Sequence, residues 1–155
     1  DLSESENVSQ NQKIESSEDE TKLVKLTPDD QFQLAYDLFR KQRFDEAINS
    51  FQVFIKENND NPLSAKAHYL LGEIYMFKKD YRNAAIILTE GHQKFPKSKN
   101  SASMLYKLSE SLVFLDKRSN ACSTLKTLDR DYPNNKFKSK ITNMVSELNC
   151  SIPSE

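Results

Sequence analysis

Apolar residues recur along most of the chain at helical spacing, and the pattern itself repeats. From about Thr27 to Asn149, apolar positions follow steps of three and four residues, which mark one face of an α-helix. Short polar stretches interrupt this pattern at 41–42, 79–80 and 116–117, and longer ones at 58–62, 96–98 and 133–135. The pattern predicts three helix–turn–helix units, followed by one further helix.

The three units share a register of 37 residues. Equivalent positions carry the same kind of residue, in four sets: Ala47, Ala84 and Ala121; Leu34, Leu71 and Leu108; Phe51, Leu88 and Leu125; Ala35, Gly72 and Ser109. In each unit a small residue on the first helix precedes an alanine on the second by twelve positions. Glycine inside a helix costs about 1 kcal/mol relative to alanine. We therefore expect Gly72 to allow a close approach of the two paired helices.

The ends of the chain differ in composition from this repeated region. Residues 1–26 are rich in Ser, Glu and Asp and hold no aromatic residue, which predicts a disordered acidic linker. Thr27 and Pro28 form a typical start of a helix, so an ordered domain is expected over 27–150. A last segment, about 136–149, places four apolar residues on one face: Ile141, Met144, Val145 and Leu148. A short disordered tail is expected at 151–155.

The alternation of small and large residues at helical spacing resembles the tetratricopeptide repeat, over about residues 30–134. The resemblance implies an all-α fold: a solenoid of three helix–turn–helix repeats, closed by the last amphipathic segment as a capping helix. The unit is longer than the usual 34 residues of this repeat, and the additional residues fall in the linkers between repeats.

Charge and composition argue against several classes of function. The formal net charge is −1, and residues 1–30 hold nine acidic residues and three lysines. No dense basic tract is present, which argues against nucleic-acid binding, and no apolar run reaches the ~20 residues needed to span a membrane. His68 and His92 lie 24 residues apart without metal-ligand spacing, and no phosphate-binding loop occurs. We predict no enzymatic activity, no cofactor and no metal, with His68 at a helix-packing position.

Several motifs narrow the resemblance. The second repeat reads AHYLLGE over 67–73, the first opens with AYDL over 35–38 and continues with AINSFQVF over 47–54, and the last unit closes with Tyr132-Pro133. These motifs resemble the C-terminal repeat domain of the Tol–Pal-associated periplasmic proteins that coordinate cell division in Gram-negative bacteria. Two departures are Leu70, where that family often has tryptophan, and Asn58-Asn59, where the first repeat lacks Tyr-Pro.

The resemblance implies a periplasmic protein that binds TolA and the proteins that synthesise septal peptidoglycan, and so couples outer-membrane constriction to cell-wall synthesis. Members of the family carry an upstream coiled coil that forms trimers, but no heptad pattern occurs here, so this chain is expected to be monomeric. The alternative is an outer-membrane assembly scaffold of the tetratricopeptide lipoprotein type. That reading requires a lipidated N-terminal cysteine, and the chain begins at Asp1.

Helical geometry predicts a partner-binding surface on the inner side of the curved array, where the first helix of each repeat is exposed. Seven aromatic residues are predicted on this face, together with methionine and charged residues that suit an interface for an amphipathic segment. Some of the rings are alternatively expected to pack between successive helices. The residues are Phe32, Tyr36, Phe39, Arg40, Lys66, Tyr69, Glu73, Met76, Phe77, Ser103, Tyr106, Glu110, Val113 and Phe114.

The chain has two cysteines, Cys122 and Cys150. If the capping helix folds back antiparallel to the preceding helix, the two sulfur atoms can meet and form a disulfide. A bond across this separation would stabilise the fold by about 3–4 kcal/mol on the chain-entropy model. Two unpaired thiols in a reducing compartment are the alternative.

Overall fold

Seven helices make up most of residues 25–150, which are the residues that the computed structural model describes. The helices are α1 (Pro28–Arg40), α2 (Phe44–Glu57), α3 (Leu63–Phe77), α4 (Tyr81–Lys94), α5 (Ser101–Phe114), α6 (Arg118–Asp131) and α7 (Lys138–Glu147). Of the predicted linker, only Lys25 and Leu26 fall within this range, and both are exposed. The rest of the linker and the tail at 151–155 lie outside the described residues.

The first helix begins where the sequence predicts. The Oγ1 atom of Thr27 accepts a hydrogen bond from the backbone N–H of Asp30 at 3.2 Å, and Pro28 and Asp29 occupy the first turn. This cap satisfies one of the N–H groups that have no partner inside the helix.

The turn inside each repeat has the same backbone conformation. Gln42, Lys79 and Asp116, spaced by 37 residues, have left-handed φ values of 59°, 60° and 58°. After each of them, the next N–H donates to a carbonyl in the last turn of the preceding helix, for example from Asp80 to Tyr75 at 2.8 Å. This is the Schellman arrangement, which satisfies carbonyl groups at a helix end. The 37-residue repeat is therefore present in the backbone conformation as well as in the side chains.

Successive helices pack in series and form a stack of helix pairs. Each helix contacts the next one, and the first helices of neighbouring repeats also touch, α1 against α3 and α3 against α5. The register alanines Ala47, Ala84 and Ala121 are fully buried between the paired helices. The predicted fold class is confirmed: the chain is an all-α tetratricopeptide solenoid with α7 at its end.

Gly72 lies at a close approach of α3 and α4, as predicted, but the residue it faces is different. A Cβ atom at position 72 would lie 2.4 Å from Cδ2 of Leu88. Leu88 is fully buried and lies one turn beyond Ala84, the residue that the spacing indicated. The missing side chain therefore makes room for a large neighbour in the core.

The two ends of the stack are different. Leu71 and Leu108 are 1 % and 8 % exposed, whereas Leu34, the equivalent residue of the first repeat, is 50 % exposed. Within residues 25–150 no helix pair precedes α1, so nothing covers this leucine. At the other end Ile141 of α7 is 6 % exposed and packs into the core, while the outer side of α7 is polar.

A disulfide joins α6 to the end of α7. Cys122 and Cys150 are bonded, with their Cα atoms 5.6 Å apart. Beside the bond, the guanidinium group of Arg118 donates hydrogen bonds to the carbonyl oxygens of Leu148 and Asn149. The capping helix therefore runs back along α6, which is the geometry that the predicted pairing required.

Candidate partner-binding surface

The predicted contact residues fall into three groups by exposure. Phe32 and Tyr106 are buried, and four residues are exposed: Arg40, Phe77, Val113 and Phe114. The others are partly buried, namely Tyr36, Phe39, Lys66, Tyr69, Glu73, Met76, Ser103 and Glu110. We call the partly buried set the inner groove.

The two buried rings offer little surface to a partner, because core residues cover them. Phe32 is 7 % exposed and packs edge-on against Phe51 and Phe54, with centroid distances of 5.9 and 5.6 Å. Tyr106 is also 7 % exposed and stacks on Phe137, with ring centroids 4.4 Å apart. The sequence interpretation missed Phe137, although an aromatic residue directly before an amphipathic helix was a usable signal. These two rings therefore pack between helices and do not lie on the exposed face where the main prediction placed them.

The first part of the inner groove combines aromatic rings with a cation. The rings of Phe39 and Tyr36 stack at a centroid distance of 6.1 Å. The Nζ atom of Lys66, from the next repeat, lies 4.9 Å from the centroid of the Tyr36 ring. An ammonium group at this distance is attracted by the ring face, which holds α1 and α3 in register along the groove.

The middle of the groove carries carboxylates. The hydroxyl of Tyr69 donates to Oε1 of Glu73 at 2.8 Å, and burial, together with this carboxylate, raises the pKa of Tyr69. Oε1 of Glu110 is buried and accepts no hydrogen bond, although the Nζ atom of Lys107 lies 3.5 Å from it. The ion pair is thus too poorly aligned to count as a hydrogen bond. Lys107 was not among the predicted contact residues.

The C-terminal ends of α3 and α5 expose two phenylalanines. Phe77 is 70 % exposed and Phe114 is 62 % exposed. Each packs against an aromatic residue at the start of the preceding repeat's second helix: Phe77 against Phe44 at 4.8 Å, and Phe114 against Tyr81 at 4.3 Å. A cavity of about 390 Å³ adjoins the first pair, lined by Phe39, Phe44, Glu73, Ile74, Met76, Phe77 and Lys107.

The two histidines lie between helices, His68 buried and His92 partly buried. His68 is 3 % exposed, and its Nδ1 atom lies 2.6 Å from the carbonyl oxygen of Ser64. Nδ1 of His92 lies 2.8 Å from Oγ of Ser101. Burial lowers the pKa of both imidazoles below the usual 6.5. His68 therefore occupies the helix-packing position that the sequence indicated.

A metal site and a membrane span are both absent from the described part of the chain. Residues 25–150 contain no group of three or more His, Cys, Asp or Glu side chains placed to hold a metal ion. None of the seven helices is both long enough and apolar enough to cross a bilayer.

Comparison with known proteins identifies the class of domain. Residues 103–135 match the family model described as tetratricopeptide repeat. In structure the chain is similar to the type III secretion translocator chaperone SycD of Yersinia enterocolitica, solved as an alternative dimer. The TM-score is 0.67 at 17 % identity, and the match covers 79 % of this chain and 92 % of SycD. No curated protein sequence matches the chain significantly.

The match and the fold together show a tetratricopeptide repeat domain. Domains of this class are protein–protein interaction modules, and their stacked helices present an extended concave surface to a partner. At this level of identity the likeness to SycD shows a shared fold.

Proposed function

We propose that the chain is a periplasmic interaction module of the Tol–Pal system, which binds TolA and coordinates outer-membrane constriction with septal peptidoglycan synthesis during cell division. The motifs at 35–38, 47–54, 67–73 and 132–133 support this reading, because they combine the 37-residue repeat with the residues typical of that family. The repeat fold supplies the binding surface that the role requires.

The disulfide supports the proposed compartment. Disulfides persist in the bacterial periplasm and are rare in the reducing cytosol. In this chain the bond between Cys122 and Cys150 fixes α7 to α6, and both described cysteines take part in it. A structural bond of this kind is suited to an oxidising compartment.

The inner groove is the observation that carries the proposal. Half-buried aromatic and methionine side chains lie there beside carboxylates and lysines, in contact with a cavity of about 390 Å³. Partly buried aromatic residues in a pocket are typical hot spots of protein interfaces. An amphipathic segment of TolA can place its apolar side chains against Tyr69 and Met76.

A titration with the soluble domains of TolA tests this proposal. The wild type is compared with Tyr69→Ala plus Met76→Ala, after circular dichroism has shown that the variant remains helical. We expect the variant to bind at least about tenfold more weakly, which corresponds to about 1.4 kcal/mol.

The matched control truncates two exposed apolar residues on the second helices, Val53→Ala plus Ile86→Ala, which are 51 % and 49 % exposed in the wild type. The control should bind as the wild type does. Equal affinity of all three proteins for TolA would show that the inner groove does not bind TolA. Absence of TolA binding by the wild type would remove the Tol–Pal assignment.

A further inference from the structure

The edge of the stack that carries the turns inside the repeats forms a second surface, which adjoins the inner groove at the cavity beside Phe77. We call it the turn edge and define it by Phe44, Phe77, Tyr81 and Phe114 and the turns at 41–43, 78–80 and 115–117. Phe77 and Phe114 are the two most exposed large apolar residues of the described chain. Contiguous exposed rings of this kind mark interaction sites on soluble proteins.

The exposed rings at the turn edge are already ordered. The Phe114 and Tyr81 rings are nearly parallel, at 7°, and Phe77 is held against Phe44 in the equivalent place one repeat earlier. A ring that is fixed before binding loses little conformational entropy when a partner covers it. The two aromatic pairs therefore form a preorganised surface, with one pair bridging the first and second repeats and the other bridging the second and third.

The charges around the rings are mainly positive. Among residues 25–150, several cations in the turns of this edge or within two residues of them take part in no ion pair, including Arg40, Lys41, Lys79, Arg82 and Lys117. Among the nearby acids of the described chain, Asp116 takes part in no ion pair, whereas three others are engaged. Asp45 pairs with Lys78, Glu46 pairs with Arg43, and Asp80 caps α4 by accepting from Asn83. The surface is therefore apolar at its centre and positive around it.

We propose that the turn edge is a second docking surface, which binds an acidic segment of a partner protein. Apolar side chains of that segment, spaced between its carboxylates, would contact the exposed rings. The two ring pairs lie at the ends of α3 and α5, which contact each other, and helices in contact lie about 8–10 Å apart. A segment in the polyproline II conformation returns to the same face every three residues, over about 9 Å. The segment therefore carries apolar residues at every third position, one for each ring pair, with acidic residues between them to meet the cations.

The cavity beside Phe77 favours a protein segment over a lipid surface. This space of about 390 Å³ lies between Phe39, Phe44 and Met76, with Glu73 and Lys107 also in its lining, and is large enough for an apolar side chain. A flat bilayer surface makes no use of such a pocket. The cavity borders the inner groove as well, but the exposed rings and the cations of the turn edge lie outside that groove. The inference concerns a different partner chemistry from the TolA proposal and does not depend on it.

Fluorescence anisotropy with synthetic peptides tests the inference on the full chain. The probe is fluorescein-labelled EELEELEEL, and the control peptides are EEAEEAEEA, without the apolar anchors, and KKLKKLKKL, with the charge reversed. We expect saturable binding of the first peptide only, weakened about tenfold or more by Phe77→Ser plus Phe114→Ser and by Lys41→Glu plus Arg82→Glu. The control variant, Lys56→Glu plus Lys126→Glu, reverses exposed lysines on α2 and α6 and should bind as the wild type does.

The other outcomes each overturn the inference. No binding of the probe, or equal binding by all variants, would show that the turn edge does not bind an acidic segment. Binding to vesicles of phosphatidylglycerol without binding to the peptide assigns the turn edge to a membrane. Tight binding of a peptide of residues 1–20 at this edge, in preference to the probe, assigns it to the chain's own acidic segment. TolA titration of the same variants reports separately on the proposed function.

Discussion

The first two junctions between repeats have the same backbone arrangement but different chemistry. At the second junction, between α4 and α5, His92 donates from Nδ1 to Oγ of Ser101 at 2.8 Å, and Ser101 donates to the hydroxyl of Tyr132 at 2.8 Å. That hydroxyl donates in turn to the carbonyl of Pro96 at 2.5 Å. A chain of hydrogen bonds thus crosses the junction.

At the first junction, between α2 and α3, the equivalent residues are mostly apolar. Ile55 stands in the place of His92, and Phe95 stands in the place of Tyr132. Ser64, which is equivalent to Ser101, is fully buried and its Oγ atom has no hydrogen-bond partner. An orphaned buried hydroxyl is destabilising, so at these equivalent positions the first junction is held by packing. Its polar contacts lie elsewhere: Nε2 of Gln52 donates to the hydroxyl of Tyr75 at 2.9 Å, and Lys78 pairs with Asp45. The comparison teaches that repeat stacking fixes shape, while the chemistry of each junction remains free to vary.

The third junction, between α6 and α7, is closed by a covalent bond, and breaking it should have the largest effect. Reduction, or Cys122→Ser plus Cys150→Ser, should lower the free energy of unfolding by about 3–4 kcal/mol, because the unfolded chain gains conformational entropy. Urea unfolding with and without reductant measures this. The serine variant is the control, since reductant should not affect it. An unchanged wild-type midpoint in reductant would contradict the prediction.

Gly91 of α4 lies between the first two junctions and should be sensitive to the addition of a single methyl group. A Cβ atom there would lie 2.5 Å from Sδ of Met104 and 2.7 Å from Cβ of His68. Gly91→Ala should therefore cost about 2 kcal/mol net, because overpacking exceeds the gain in helix propensity. Thermal unfolding by circular dichroism measures the change. Asn83→Ala, at an exposed position of the same helix, is the comparison, and an equally stable Gly91→Ala protein would refute the close contact.

Converting the second junction toward the chemistry of the first should have a smaller effect. Tyr132→Phe removes the hydroxyl that links Ser101 to Pro96, and should cost about 1–2 kcal/mol, at about 1 kcal/mol for each hydrogen bond. Urea unfolding of the variant at neutral pH measures the loss. Tyr132→Phe combined with Ser101→Ala should cost little more than the single change, and a fully additive double variant would show that the two hydroxyls act independently.

A pH titration should show the smallest effect and should separate the junctions further. Well above pH 6.5 both imidazoles are neutral in the folded and unfolded chain. As the pH falls through 6.5, the unfolded chain takes up protons that buried His68 and partly buried His92, with their lowered pKa values, do not. The free energy of unfolding should therefore fall as the pH drops below 6.5.

The matched variant for this titration is His92→Ile, which places the residue of the first junction in the second. Its stability should depend less steeply on pH between 6.5 and 5 than that of the wild type, and the remaining slope reports on His68. Urea unfolding at several pH values measures both slopes. Identical slopes would show that His92 does not contribute.

Sequence periodicity predicted the fold well because each repeat is specified locally. The register alanines, the cap at Thr27 and the apolar face of the last helix all follow from steps of three and four residues along one helix. The neighbour of Gly72 was less predictable, since the choice between Ala84 and Leu88 depends on the axial offset of two helices. Spacing within one chain segment does not determine that offset.

The candidate surface was predicted less completely, because exposure depends on what packs from outside the helix. Tyr106 occupies an inner position of α5, but Phe137 covers it when α7 folds back. The polar chain at the second junction was visible in the sequence as two linked changes, from Ile55 to His92 and from Phe95 to Tyr132. Comparing the repeats position by position would have indicated it.

Leu34 marks the end of the array at which a further repeat can be added. The covalent clamp on α7 closes one end, whereas the leucine at the other end keeps the register that its two counterparts use to receive a neighbour. A designed helix pair fused before Thr27 in the 37-residue phase would cover Leu34 and lengthen the concave face. Extension from that side adds recognition surface without disturbing the existing stack.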